Sequence, residues 1–234
     1  MSRAEEIVFL FDVDNTLLDN DRVTQDLKDH LVREFGPDNE DRYWEIFEEL
    51  RAELGYADYL GALQRYRKQN FNEPKLLLMA SFLLEYPFAD RLYSGSLAAL
   101  EHVRKWGKTV ILSDGDVVFQ PRKVQRSGLW HAVEERVLIT IHKEQMLEDM
   151  QKRFPASHYV MVDDKLRILD AMKKQMGDKL TTVFPRQGHY ALDPKNIATY
   201  PAADITIERI GDLTRHGLSA FMGNTPDVMY DRAL

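Results

Sequence analysis

Apolar residues run unbroken from Ile7 to Phe11 before the chain turns acidic at Asp12. Such a run reads as a strand covered on both faces, the habit of parallel sheets. The period then changes to that of helices. Val23, Leu27 and Leu31 repeat at helical spacing over residues 22–35, Tyr43, Ile46, Phe47, Leu50 and Leu54 over 41–54, and Leu60 with Leu63 over 59–66. Pro74 suits the first turn of an apolar helix running toward Leu84. Beyond Pro87 and Gly95, strands and helices alternate. Ser96 fits an N-cap, with Leu97, Leu100 and Val103 as the inner face and Gly107 as the stop. Further strands are predicted at 109–112, 136–141, 158–162, 180–184 and 205–207. The helices between them stop near Gly128 (after opening at Pro121), near Pro155 and near Gly177. Right-handed crossovers between parallel strands stack these into a doubly wound α/β sheet, and the helical stretch after the first strand forms a separate insertion.

The first strand delivers two carboxylates, Asp12 and Asp14, at its carboxyl end, beyond which ligands bind in sheets of this kind. Composition limits what they serve. The chain has 234 residues, 44% hydrophobic and 29% charged, enough for one large domain or two modest ones. It has no cysteine, which excludes disulfides, thiolate zinc sites and cysteine nucleophiles. The formal net charge of -7 disfavours non-specific attraction to nucleic acid or an anionic membrane. The charged start leads directly into the first strand, and the apolar stretch 76–84 is too short to span a bilayer, so no signal peptide or membrane span is expected and a cytoplasmic location is the default. No Gly-x-Gly-x-x-Gly follows a strand, and there is no Walker-type loop.

The motif Asp12-Val-Asp14-Asn-Thr16 after an apolar strand resembles the first motif of the haloacid dehalogenase-like hydrolase superfamily. Three later strand ends match in family order. Val110-Ile-Leu-Ser113-Asp114-Gly115 resembles the second motif, in which a hydroxyl and the following turn hold phosphate oxygens; Ile139-Thr-Ile-His142-Lys143 resembles the third, whose cation neutralises a phosphoryl group; and Val162-Asp163-Asp164-Lys165 resembles the fourth, which holds a metal. The resemblance implies a mostly parallel Rossmann-like core over residues 1–18 and 92–234, with an inserted all-helical cap domain over 19–91. It implies Asp12 as nucleophile, Asp14 as acid and base, Ser113, Asp114 and Lys143 on the phosphate, and Mg2+ on Asp12, Asp14 and Asp164 with Asp163 as auxiliary ligand. The further acid expected a turn beyond the fourth motif has no clear match, since Ile168 occupies one place and Asp170 lies late.

Elementary electrostatics also asks for a cation. Two unit charges 4 Å apart repel by roughly 4 kcal/mol at an effective dielectric of about 20, so converging carboxylates do not stay ionised together unaided. Magnesium is hard, prefers oxygen and bridges to phosphate. The implied activity is hydrolysis of a small phosphorylated metabolite through an aspartyl-phosphate, by a monomer or homodimer. A phosphomutase, a metal-independent 2-haloacid dehalogenase and a catalytically silent binding protein are the alternatives. Ser113 also reads as a cap of the next helix, and Lys123 is a rival to Lys143. The stretch from Pro185 to Tyr190 is either a rim of the site or a polar loop turned by Gly188. In the cap, Tyr56, Tyr59, Arg65 and Arg67 either face the substrate or form an ordinary half-buried face.

Overall fold

The computed structural model describes residues 5–69 and 75–222. Strands β1 (Glu5–Phe11), β2 (Lys108–Asp114), β3 (Val137–Thr140), β4 (Ala156–Val162), β5 (Leu180–Pro185) and β6 (Ile205–Ile207) form one sheet in the order β3-β2-β1-β4-β5-β6. Every pairing is parallel. The chain starts in the middle, winds to one edge, crosses back beneath β1 and winds to the other, which is the doubly wound arrangement expected.

Helices α1 (Asn20–Phe35), α2 (Pro37–Leu54), α3 (Tyr59–Gln69) and α4 (Leu76–Glu85) separate β1 from β2. The remainder are α5 (Ser96–Val103), α6 (Phe119–Arg126), α7 (Leu129–Ala132), α8 (Leu147–Arg153), α9 (Leu166–Met176), α10 (Gly188–Leu192), α11 (Pro194–Thr199) and α12 (Leu218–Phe221). Among the described residues, no helix is long and apolar enough to cross a membrane.

Alternation along β1 explains its unbroken apolar run. Ile7, Phe9 and Phe11 point to one face and join a core with Leu27, Phe47 and Tyr59 of the inserted helices. Val8 and Leu10 point to the other face and pack with Met161, Leu169 and Met172. The inserted helices are thus held by the same apolar cluster as the sheet, with Tyr59 on α3 against Phe119 on α6 at a ring-centroid distance of 5.1 Å.

Several local expectations shift. Gly95, at φ +88°, takes the cap position, and Ser96 is the first helical residue, its hydroxyl donating to the Leu17 carbonyl at 2.7 Å. Helix α5 ends at Val103, short of Gly107. A Cβ on Gly107 would fall 2.1 Å from the Ile7 carbonyl oxygen, so this glycine serves a close backbone approach beside β1. Pro121 is the third residue of α6, not its opener; the first turn has orphan N–H groups anyway, so the ring costs no helical bond there. Pro74 lies outside the described residues.

Candidate active site

Register brings the four motif-bearing strands flush. Phe11 pairs with Ile111 on one side and Val162 on the other, and Ile139 pairs with Ser113, so Asp12, Ser113, Lys143 and Asp163 emerge together from β1, β2, β3 and β4. These four strands are contiguous in the sheet.

Asp12 is the hub, with 3% of its surface exposed. Its Oδ1 accepts from the Lys143 ammonium at 2.5 Å and from the Ser113 hydroxyl at 3.2 Å. Among the described residues its Oδ2 accepts one hydrogen bond, from the Thr16 hydroxyl at 3.5 Å. Thr16 Oγ1 in turn accepts the Asp164 backbone N–H at 3.0 Å, tying the loop after β1 to the loop after β4. Burial pushes the Asp12 carboxyl up, but the charges of Lys143 and Lys165, together with the Lys143 and Ser113 hydrogen bonds, outweigh it and hold the group below the ordinary carboxylate value.

Lys143 also lies 2.6 Å from Asp163 Oδ2, a second buried ion pair. Burial disfavours its charge; Asp12, Asp163 and Asp114 more than restore it, and its pKa is raised. Asp114 positions this lysine. Its Oδ1 accepts from the Thr140 hydroxyl at 2.6 Å and from the Lys143 backbone N–H at 2.9 Å. The Asp114 carboxylate is therefore turned to β3 and the Lys143 loop, and any phosphate contact from this residue falls to its backbone.

Asp12, Asp163 and Asp164 each offer an oxygen within 4.8 Å of the others, all three buried. Asp163 Oδ1 accepts the Lys165 backbone N–H at 2.8 Å. Both oxygens of Asp164 are buried without a hydrogen-bond partner among the described residues. Burial, only partly offset by the opposing charges of Lys165 and Lys143 and reinforced by Asp163 and Asp12, drives the Asp164 carboxyl well above its ordinary range. Buried carboxylate oxygens are paired or coordinate a cation. An all-oxygen donor set without histidine suits a hard divalent ion, so the residues present fit the metal that the motifs imply. Asp170 is not among them; it pairs with Lys174 at 2.7 Å along α9, while Ile168 is buried.

Asp14 sits apart from the triad. Its Oδ1 accepts from Lys123 at 2.6 Å and its Oδ2 from Gln120 Nε2 at 3.4 Å. The same amide reaches Ser113 Oγ at 3.1 Å. Lys123, fully buried, also donates to Asn20 at the start of α1. The rivalry between the two lysines thus resolves into two posts, Lys143 on Asp12 and Lys123 on Asp14. Gln120 and Lys165 are site residues that the motif reading passed over. For Gln120 and Lys123 the available signal was two polar residues on the inner face of α6 beside Phe119 and Val124.

Asp14 also lines a cavity of about 300 Å³ between the inserted helices and the sheet. Tyr59 belongs to its wall; Arg65 does not, pairing instead with Glu53 at 2.6 Å, and Arg67 is exposed. Arg51 on α2 takes the place expected of them. The stretch from Pro185 to Tyr190 is not a plain loop, because α10 begins at Gly188 and carries His189 and Tyr190 into the cavity wall. His189 Nδ1 lies 2.5 Å from Asp21 Oδ1, and the Asn15 amide donates to the same oxygen at 2.9 Å. Asn15 also accepts from the backbone N–H groups of Asn20 and Asp21, fixing the start of α1.

Gly188 makes this corner possible. Its φ is +72°, and a Cβ there would fall 2.4 Å from the Asn15 Cβ. Gly188→Ala is expected to lower stability by about 1–3 kcal/mol through backbone strain, and further by displacing Asn15. A urea midpoint equal to that of the parent protein would remove this account of the corner.

Comparison with known proteins agrees with the geometry. The family model for haloacid dehalogenase-like hydrolases matches residues 8–174. Among solved structures, a protein from Burkholderia xenovorans LB400 assigned to the same hydrolases is 66% identical, with a TM-score of 0.88 over 92% of this chain and 100% of that one. The HAD-hydrolase YfnB from Bacillus subtilis, bound to magnesium, shares the fold at 16% identity, with a TM-score of 0.57 over 89% of this chain and 97% of that one. L-2-haloacid dehalogenase from Xanthobacter autotrophicus shares it at 21% identity, with a TM-score of 0.55 over 91% and 98%. No curated protein matches the sequence. With its strand ends in register, its acidic triad assembled and most of its length matched, the chain belongs to the haloacid dehalogenase-like hydrolases.

Proposed function

We propose that the protein is a magnesium-dependent phosphoric monoester hydrolase acting on a small phosphorylated metabolite, with Asp12 as the nucleophile. The observation that carries this reading is the pair of buried, unpartnered Asp164 oxygens beside Asp12 and Asp163. Asp12, Asp163 and Asp164, with the Asp14 backbone carbonyl that the family motif implies, would hold the ion. When bound, Mg2+ supplies charge neutralisation and fixes phosphate oxygens near Asp12.

The side chains supply the rest. Asp12 Oδ1 is held by Lys143 and Ser113, which leaves Oδ2 with lone pairs to spare. In-line attack by Asp12 on phosphorus would form an Asp12–phosphorus bond as the ester oxygen–phosphorus bond breaks. Asp14, facing the cavity in which the leaving group would lie, would give its proton to the departing alkoxide and take one from the water that then attacks phosphorus and frees Asp12. Lys143 and the Ser113 hydroxyl would stabilise charge on the transferring oxygens. Lys123, 2.6 Å from Asp14, would stabilise the Asp14 carboxylate between the two proton transfers.

The test is a panel of phosphomonoesters, p-nitrophenyl phosphate among them, assayed with Mg2+ and with chelator. Phosphate release that requires the ion is the expected result. Isomerised sugar phosphate without free phosphate would indicate a mutase. Chelator-insensitive chloride release from 2-chloropropionate, with a blank phosphate panel, would indicate a dehalogenase. Blank results throughout would leave a silent binding protein.

A further inference from the structure

The cavity above Asp14 is walled by two helical stripes. Asp21, Thr24 and Lys28 succeed one another along α1, and Trp44, Phe47 and Arg51 along α2, at the three- and four-residue spacing of a single helix face. A cavity of about 300 Å³ stands at the small end of ligand-binding sites, which suits a small-molecule occupant.

Two acids of the cavity are already engaged, Asp14 by Lys123 and Gln120 and Asp21 by His189 and Asn15, and the third, Glu48, is largely in solvent. Two of its cations, Lys28 and Arg51, are held only loosely. The Lys28 ammonium lies 5.1 Å from the Trp44 ring centroid, and among the described residues no carboxylate lies within ion-pair distance of it. Arg51 donates to the Tyr190 hydroxyl, and its nearest acid, Glu48 at 3.6 Å, is 61% exposed, a pairing of little strength. Lys165, 5.0 Å from the Tyr190 ring centroid on the same wall, is already engaged by the charges of Asp164, Asp12 and Asp163. From α2 the cavity receives Glu48, largely in solvent, and, one turn beyond Phe47, the less exposed guanidinium of Arg51.

Given the phosphomonoesterase reading above, we propose that this cavity selects a phosphomonoester whose short leaving group carries a carboxylate, with Arg51 as the specificity-determining residue and Lys28 as a second cation. A guanidinium presents a rigid fork of donors that matches a carboxylate in a way that it does not match a hydroxyl. The phosphoryl group would sit at Asp12 and Lys143, and the carboxylate would reach upward to α2.

The test compares 3-phosphoglycerate with glycerol 3-phosphate, alike in length and differing in carboxylate against hydroxymethyl, with p-nitrophenyl phosphate as a reference ester. The parent protein is expected to favour the carboxylate ester in kcat/KM by roughly 10- to 100-fold. Arg51→Gln should bring that ratio toward unity chiefly through KM, Arg51→Lys should recover part of it, and Lys28→Gln should reduce it by a smaller factor. Equal kcat/KM for the two esters, with p-nitrophenyl phosphate hydrolysed, overturns the carboxylate subsite and leaves the phosphatase reading intact. A preference unchanged in Arg51→Gln overturns the role of Arg51. Failure to release phosphate from any of the three esters defeats the phosphatase reading and this proposal with it.

Discussion

Replacing Asp12 with asparagine is expected to cut magnesium-dependent phosphate release by roughly 10⁴- to 10⁶-fold, the scale on which removal of a covalent nucleophile is felt. The amide is nearly isosteric, so the packing around this buried side chain changes little. Lys143 keeps its contact with Asp163, and Ser113 still has Gln120 beside it. The loss should therefore appear in kcat, with the protein still folded by circular dichroism and by its thermal midpoint. Turnover within tenfold of the parent would show that the attack on phosphorus comes from another group, and the assignment of Asp12 would fall.

The second large effect concerns Lys143, with 2% of its surface exposed. Lys143→Met leaves a side chain of similar length but removes the cation that touches both Asp12 and Asp163. Breaking a buried ion pair from one side costs about 3–5 kcal/mol, because the charges left behind are stranded in a poor solvent. Here that cost is moderated: burial already holds Asp163 and Asp164 above their ordinary pKa values, and protonation relieves part of the repulsion. A fall in the denaturant midpoint at unchanged slope, together with loss of turnover, is the expected outcome. A variant as stable as the parent would mean that the acidic cluster is neutralised by something other than this lysine.

Much of the fold was legible because strands buried on both faces leave an unbroken apolar signature and the crossover rule permits few ways to stack them. The strand-end residues Asp12, Ser113, Lys143 and Asp164 were legible for the same reason: a polar group that closes an apolar strand has its position set by the sheet. Residues held by helix faces were not. Gln120 reaches the site from inside α6, and Lys123, a candidate only as the rival of Lys143, stands beside it on Asp14; the one local signal for either was a polar residue on the face shared with Phe119 and Val124. The cap was harder still. Arg51, Arg65 and Arg67 are equivalent as sequence, and only the packing of α2 and α3 on the sheet turns the first inward and the others out. Helix α10 is a single turn, too short to show any period, and its place depends on Gly188 passing close to Asn15.

The inserted helices separate β1 from the other three strands that carry the site, and Lys143 lies 131 positions along the chain from Asp12. Contacts of that span form late, since the entropy of closing such loops must be met before the contact rewards it. A polypeptide emerging from the ribosome gains its nucleophile first but lacks Asp163 and Asp164 until β4 has been synthesised and docked against β1. Recovery of turnover after dilution from denaturant therefore runs no faster than the docking of β4, which makes enzymatic activity a clock for the completion of the central sheet.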